Sequence, residues 1–211
     1  MSKHFIFDFD GVLVDSMDTW AGVYVNLLRS YTGDAPSDMV KQITPLGNAG
    51  AARYCIERGV DMTEEQLLEY SLSEFQREYL TNVRLKPNVA TVLRKMKESG
   101  ISLHVLTASS HSYVDGCLDN AGVLELFTRV WSTDDFGLSK AAPDIYLRAA
   151  ELLGADVSDC TFFDDNIIAL TNAKLSGMRA VGVYDKSSDA LVDDIKAIGD
   201  SYIYNFSEIK F

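Results

Sequence analysis

Apolar residues recur along this chain with two different periods. HFIFDFD (His4–Asp10) is a short apolar run ended by Gly11 and predicts a strand. From Ser16 to Asn82 the spacing is helical. Ser16 stands where it would cap MDTWAGVYVNLLRSY, and Gly33 and Pro36 end that segment. Helical patterns resume over Asp38–Ile43, Ala49–Arg58 and Glu64–Leu80, with Gly47 and Gly50 predicted in a loop. At Arg84–Pro87 the character changes and strands alternate with helices. VATVLRKMKESG, SHSYVDGCLDNAG, PDIYLRAAELLG, NIIALTNAKLSG and SDALVDDIKAIG read as helices. ISLHVLT, RVWST, CTFFDD, MRAVGVY and SYIYNF read as the strands between them.

Alternation of this kind predicts an α/β fold, a Rossmann-like parallel sheet with helices on both faces. The helical stretch then becomes an all-helical insertion after the first strand. The expected organisation is a core of residues 1–15 and 84–211 and an inserted unit of residues 16–83.

Composition narrows the function classes. The chain has 211 residues, is 47% hydrophobic and carries a formal net charge of -12. Such a length is enough to bury a sizeable core. An acidic chain has no general attraction for nucleic acid or anionic membranes, so neither is expected as a partner. An anion such as phosphate must be held locally, by a few donors or a metal. Three scattered cysteines form no CxxC pair, and no N-terminal signal pattern is visible. A cytoplasmic location and buried, inert thiols are the expectation.

The chemistry starts with two aspartates in an apolar strand. Strand side chains alternate, so Asp8 and Asp10 are expected on one face near the strand's C-terminal end, where parallel sheets bind ligands. Two bare carboxylates this close repel, and burial would raise at least one pKa. A divalent cation removes the conflict, and Mg²⁺ fits an oxygen donor set best. Other strand ends supply complementary groups. Thr107-Ala108-Ser109 follows one strand and opens a helix, a turn whose hydroxyls and N–H groups suit a phosphate. FFDD (Phe162–Asp165) ends another strand in two carboxylates, Asp164 and Asp165. Lys140 lies in the loop GLSKAAPDIY.

These residues resemble the motifs of the haloacid dehalogenase superfamily, in the branch of phosphatases and phosphomutases with a helical cap. Asp8 through Ser16 is similar to its first motif, Thr107 of LTAS to the second, Lys140 to the third, and Asp164-Asp165 to the fourth. Two positions depart. The family's G-K-P-x-P is here Ser139-Lys140-Ala141-Ala142-Pro143. The Glu-Asp-Ser often found at the fourth motif is Asp164-Asp165-Asn166, with Ala169 at the family's glycine.

The resemblance implies a Mg²⁺-dependent phosphatase acting on a small phosphorylated metabolite. It implies Asp8 as nucleophile, Asp10 as acid and base, and a metal held by Asp8, the Asp10 carbonyl, Asp164 and Asp165. Phosphate binding falls to Thr107, Ala108, Lys140 and the Phe9 N–H. Pro45–Tyr54, with Gly47, Asn48 and Arg53, and also Lys41, supply the expected substrate contacts of the inserted unit. Three alternatives stay open: a β-phosphoglucomutase-like mutase, a metal-independent dehalogenase, and a receiver-type phospho-acceptor. The mutase needs a second phosphate site in a unit that is acidic between Asp61 and Glu78. The dehalogenase does not need Asp10 or the late acidic pair. The receiver places its acidic pair on the first strand, not the last motif. A monomer is expected.

Overall fold

The computed structural model describes residues 3–211, apart from the Pro45 side chain. The chain divides into two compact units, one of Met1–Asp15 with Arg84–Phe211 and one of Ser16–Val83. In chain order, β1 (His4–Phe7) is followed by four helices, α1 (Met17–Thr32), α2 (Met39–Ile43), α3 (Gly47–Glu57) and α4 (Glu64–Thr81). Then come α5 (Val89–Glu98), β2 (Ser102–Thr107), α6 (His111–Asn120), β3 (Phe127–Ser132), α7 (Asp144–Leu153), β4 (Cys160–Asp164), α8 (Ile167–Leu175), β5 (Arg179–Val183), α9 (Val192–Ile198) and β6 (Ser201–Ile203).

The strands form one parallel sheet in the order β3-β2-β1-β4-β5-β6. Both faces of β1 are buried, which is why it reads as a continuous apolar run and not an alternating one. Ile6, Leu106 and Phe162 pack on one face with Ile145, Tyr146 and Ala149 of α7 and Ala169 and Ala173 of α8. Phe7 packs on Phe163 and on Phe206. This is the predicted Rossmann-like α/β architecture. Strand order reverses on either side of β1, and such a switch point leaves a crevice at the C-terminal strand ends.

The helical unit is organised by one aromatic file. Trp20 and Tyr24 of α1 meet Phe75 and Tyr79 of α4, with successive ring centroids 5.3, 6.0 and 6.2 Å apart in edge contacts. On α4, Leu67, Ser71, Phe75 and Tyr79 recur every four residues and are buried. Thr63 and Gln66 close a capping box at its start.

Several boundaries differ from the sequence reading. The first strand ends at Phe7, so Asp8 and Asp10 lie on its exit and not within it. The chain turns there, where Leu13 and Val14 N–H both donate to the Phe9 carbonyl. Gly47 and Gly50 are not in a loop but in the first turn of α3. Gly50 is buried against Leu46, which a β-carbon there would strike, so close packing keeps a poor helix former inside a helix. The stretch after Asp185 is 3₁₀-like over Lys186–Leu191 before α9 begins. Ser16 holds the N-cap position of α1, but its side chain does not cap the helix. Cys55, Cys117 and Cys160 are buried and not disulfide-bonded. No helix among the described residues is long and apolar enough to cross a membrane.

Candidate active site

The exit of β1 is shaped by hydrogen bonds that the sheet no longer supplies. Asp8 N–H still donates to the Phe163 carbonyl at 2.8 Å, which fixes Asp8 beside the end of β4. The next residues fold back, with Gly11 N–H donating to Val14 at 3.1 Å. Gly11 has φ +71°, and a β-carbon on it would sit 3.0 Å from Asp165 Cγ. Glycine is needed there twice, for the left-handed backbone and for the close approach of a carboxylate.

That approach gathers three acids. Asp8, Asp164 and Asp165 each offer a carboxylate oxygen, and these atoms lie within 4.8 Å of one another. All three residues are buried. Lys140 Nζ sits 2.9 Å from Asp8 Oδ1 and 2.8 Å from Asp164 Oδ2. Burial opposes the lysine's charge, but the two carboxylates outweigh it and raise its pKa above the usual lysine range. The Lys140 loop is anchored by the buried Tyr146, whose hydroxyl proton is shared between the carbonyls of Lys140 and Ala169, 2.9 Å from each.

One ammonium does not neutralise three carboxylates. Burial, foremost, drives the Asp164 pKa upward, although Lys140 and the Asn166 N–H oppose it. Burial drives Asp165 well above the usual carboxylate range, helped by the charges of Asp164, Asp8 and Asp185. The chemistry of this donor set can be compared with what a divalent cation needs. Three hard oxygen donors in surplus over one cation fit Mg²⁺, which is commonly held by one or two carboxylates plus phosphate and water.

A second group of residues faces the site from β2. Thr107 is buried at the strand end and its Oγ1 accepts from Ser109 N–H at 3.0 Å. Ala108 is exposed at the turn. Ser110 caps α6 by accepting from Ser112 N–H. Ser109 does something else: its hydroxyl donates to Asp10 Oδ2 at 2.5 Å. Tyr113 packs nearby, and burial together with the Asp10 charge pushes its phenol up to about 12, so it stays protonated.

Asp8, Lys140, Asp164 and Asp165 therefore meet in one cluster, and Asp10 and Thr107 are joined through Ser109. Asp10 is not among the three carboxylates whose oxygens lie within 4.8 Å of one another; its own carboxylate accepts from Ser109. In the helical unit, Gly47 and Asn48 begin α3, and Asn48 Oδ1 accepts from Trp20 Nε1 at 2.7 Å. Arg53 is engaged by Glu64 at 2.8 Å, both side chains being exposed, and Lys41 is exposed. The Pro45 side chain lies outside the described residues. The link from Ser109 to Asp10 went unseen in the sequence, where the serine of Thr-Ala-Ser looks equally like a helix cap. The role of Gly11 as a seat for Asp165 had no sequence signal beyond the glycine itself.

Comparison with known proteins gives a consistent account. Residues 2–177 match the model of the haloacid dehalogenase-like hydrolases. The Bacillus subtilis protein "Putative phosphatase YhcW" is 26% identical over 91% of this chain and 88% of its own. Phosphoglycolate phosphatase of Psychrobacter arcticus is 25% identical over 96% of this chain and 85% of its own. In structure the chain is similar to CbbY from Rhodobacter sphaeroides in complex with phosphate, with TM-score 0.84 and 17% identity, covering 99% of this chain and 96% of that one.

Proposed function

The chain belongs to the haloacid dehalogenase-like hydrolases, and on that premise we propose that it is a phosphatase that hydrolyses a small phosphomonoester through an aspartyl-phosphate at Asp8. The observation that carries this reading is the position of Lys140, ion-paired at once to Asp8 and Asp164 at the C-terminal edge of the sheet. A largely enclosed lysine between two acids is pre-placed for a reaction in which one acid joins a phosphoryl group.

The divalent cation would be held by Asp8, Asp164, Asp165 and the Asp10 carbonyl. When bound it supplies positive charge that offsets the acids and the phosphoryl oxygens. The remaining work falls to the chain's own groups. An Asp8 carboxylate oxygen attacks phosphorus, forming the O–P bond as the bond to the leaving oxygen breaks. Asp10 gives its proton to that oxygen, and then removes one from the water that cleaves the acyl phosphate, which restores both acids. Acid–base help of this kind is typically worth about 10²–10⁴ in rate. Ser109 holds the Asp10 carboxyl in one orientation through both steps. Thr107, the Ala108 N–H and the Phe9 N–H bind phosphoryl oxygens. Lys140 stays charged and balances the Asp8 carboxylate and the group in transfer.

The test is phosphate release from an aryl phosphate and a panel of small phosphomonoesters, with Mg²⁺, with EDTA, and with Asp8→Asn. Mg²⁺-dependent release that vanishes in the variant, with the fold retained by circular dichroism, is expected. Full activity of Asp8→Asn would remove Asp8 as nucleophile. No release from any ester, with isomerisation of a hexose 1-phosphate instead, would replace the phosphatase reading by a mutase.

A further inference from the structure

Lys86 is a second partly buried lysine beside the site, and none of the steps above uses it. Its side chain is 14% exposed. Nζ donates to the Gly11 carbonyl in a short bond, to the Tyr184 carbonyl at 2.8 Å, and pairs with Asp185 Oδ2 at 2.7 Å. An ammonium has three protons, and these three acceptors engage all of them. Asp185 is locked from its other oxygen, since Oδ1 accepts from Ser187 N–H and Oγ at 2.8 and 2.6 Å. Burial works against the Asp185 charge, but Lys86 and Ser187 outweigh it and hold its pKa below the usual range, so the pair is ionic.

The backbone around Lys86 is tied to the same place. Lys86 N–H donates to the Leu13 carbonyl at 2.9 Å, Asp15 N–H to Arg84 at 3.0 Å, and Val14 bridges Leu85. One side chain thus joins three segments distant in sequence: the turn leaving β1, the return of the chain at 84–86, and the turn after β5. The first of these carries Asp10 and Gly11, and the Gly11 backbone lies against the Asp165 carboxylate. Stability alone does not account for such a pair. Buried ion pairs of this kind often contribute nothing over apolar residues of equal volume, while an ammonium is the one lysine-shaped group that satisfies two carbonyls and a carboxylate together.

We propose that Lys86 is a positioning residue for the acidic site: by holding the Gly11 carbonyl and the Tyr184–Asp185 turn, it sets the spacing between the Asp10 backbone and the Asp165 carboxylate, and through it the affinity for a divalent cation. This rests on the reading of Asp165 and the Asp10 carbonyl as metal ligands.

The experiment reads metal affinity without turnover. Urea unfolding is followed across a Mg²⁺ series, and the rise in stability with concentration returns the Kd. Wild type, Lys86→Met, Lys86→Arg, Asp185→Asn and the Lys86→Met/Asp185→Asn double variant are compared. Lys86→Met is expected to raise the Mg²⁺ Kd about tenfold or more, on the scale of the roughly 10–100-fold loss seen when supports of metal ligands are removed. Lys86→Arg is expected to raise it less, and the double variant no further than Lys86→Met, since the two residues act as one unit. The half-saturating Mg²⁺ for activity should move with the Kd. Lower stability with an unchanged Mg²⁺ Kd in Lys86→Met overturns the proposal and leaves a structural role only. If Lys86→Met does not fold, Asp185→Asn and Lys86→Arg decide in the same way. If wild type itself shows no Mg²⁺ dependence, the metal reading has failed first and takes this inference with it.

Discussion

Replacing Asp165 with Asn should stabilise the metal-free protein while destroying metal binding. The residue is 9% exposed and sits among the carboxylates of Asp8 and Asp164 with Asp185 also nearby. At the 4.8 Å limit for oxygens in this cluster, two unit charges repel by roughly 3.5 kcal/mol at an effective dielectric constant of 20. The wild-type site avoids part of that cost by taking up a proton, so Asn relieves only a fraction of it. Asn has the same shape, so no packing is lost. In a chain of this size about 1 kcal/mol corresponds to roughly 2–4 °C in Tm.

The pH dependence carries the sign. The native pKa of Asp165 is raised above its unfolded value. Its contribution is therefore fully present below about pH 4, the unfolded aspartate pKa, and is lost as pH rises through the native value. Metal-free wild type should lose stability from pH 5 to 8 more steeply than Asp165→Asn, and the two curves should diverge with rising pH. Urea unfolding in EDTA at pH 5, 6.5 and 8 measures this directly. Adding Mg²⁺ should restore wild type and leave the variant unmoved. A variant less stable than wild type in EDTA at pH 7.5, or one with the same pH slope, would refute the account of Asp165 as an electrostatically burdened ligand.

Two further substitutions probe the same site. Ser109→Ala removes the hydroxyl that donates to Asp10. Hydrogen bonds to charged groups contribute about 1.5–3 kcal/mol to stability, so Tm should fall by several degrees; kcat should fall as well, with little change in KM, because Asp10 loses its fixed orientation, and an unchanged kcat in steady-state assays would detach Ser109 from the acid–base step. Gly11→Ala places a β-carbon 3.0 Å from Asp165 Cγ at φ +71°. It should cost about 1–2 kcal/mol from the left-handed backbone alone and weaken the Mg²⁺-dependent rise in stability, both read from the same denaturation series.

Some features were legible because their causes are local. The strand-helix alternation after Arg84 is a matter of hydrophobic period, and every strand it predicted belongs to the sheet. The acids at Asp8 and at Asp164-Asp165 could be read because buried carboxylates are rare enough to stand out in apolar runs. The boundaries were less legible. A continuous apolar run does not say where a ladder stops, and Asp8–Asp10 fell outside β1 because the chain turns at Phe9. Gly47 and Gly50 read as loop residues because helix propensity is a weak local prior that packing against Leu46 overrides.

By itself the sequence determined the fold class, the place of the helical insertion in the chain, and which residue types the strand ends carry. Those follow from periodicity and composition, which depend on neighbours within a few residues. Only the tertiary structure decided which of these groups meet. Lys140 joins Asp8 to Asp164, Ser109 reaches Asp10 from 99 residues away, and Lys86 reaches the Tyr184 carbonyl across 98. Such pairings depend on the strand order, which sets β1 between β2 and β4, and on a glycine whose missing side chain admits a carboxylate. No local pattern encodes them, because each is a distance between segments that the sheet alone brings together.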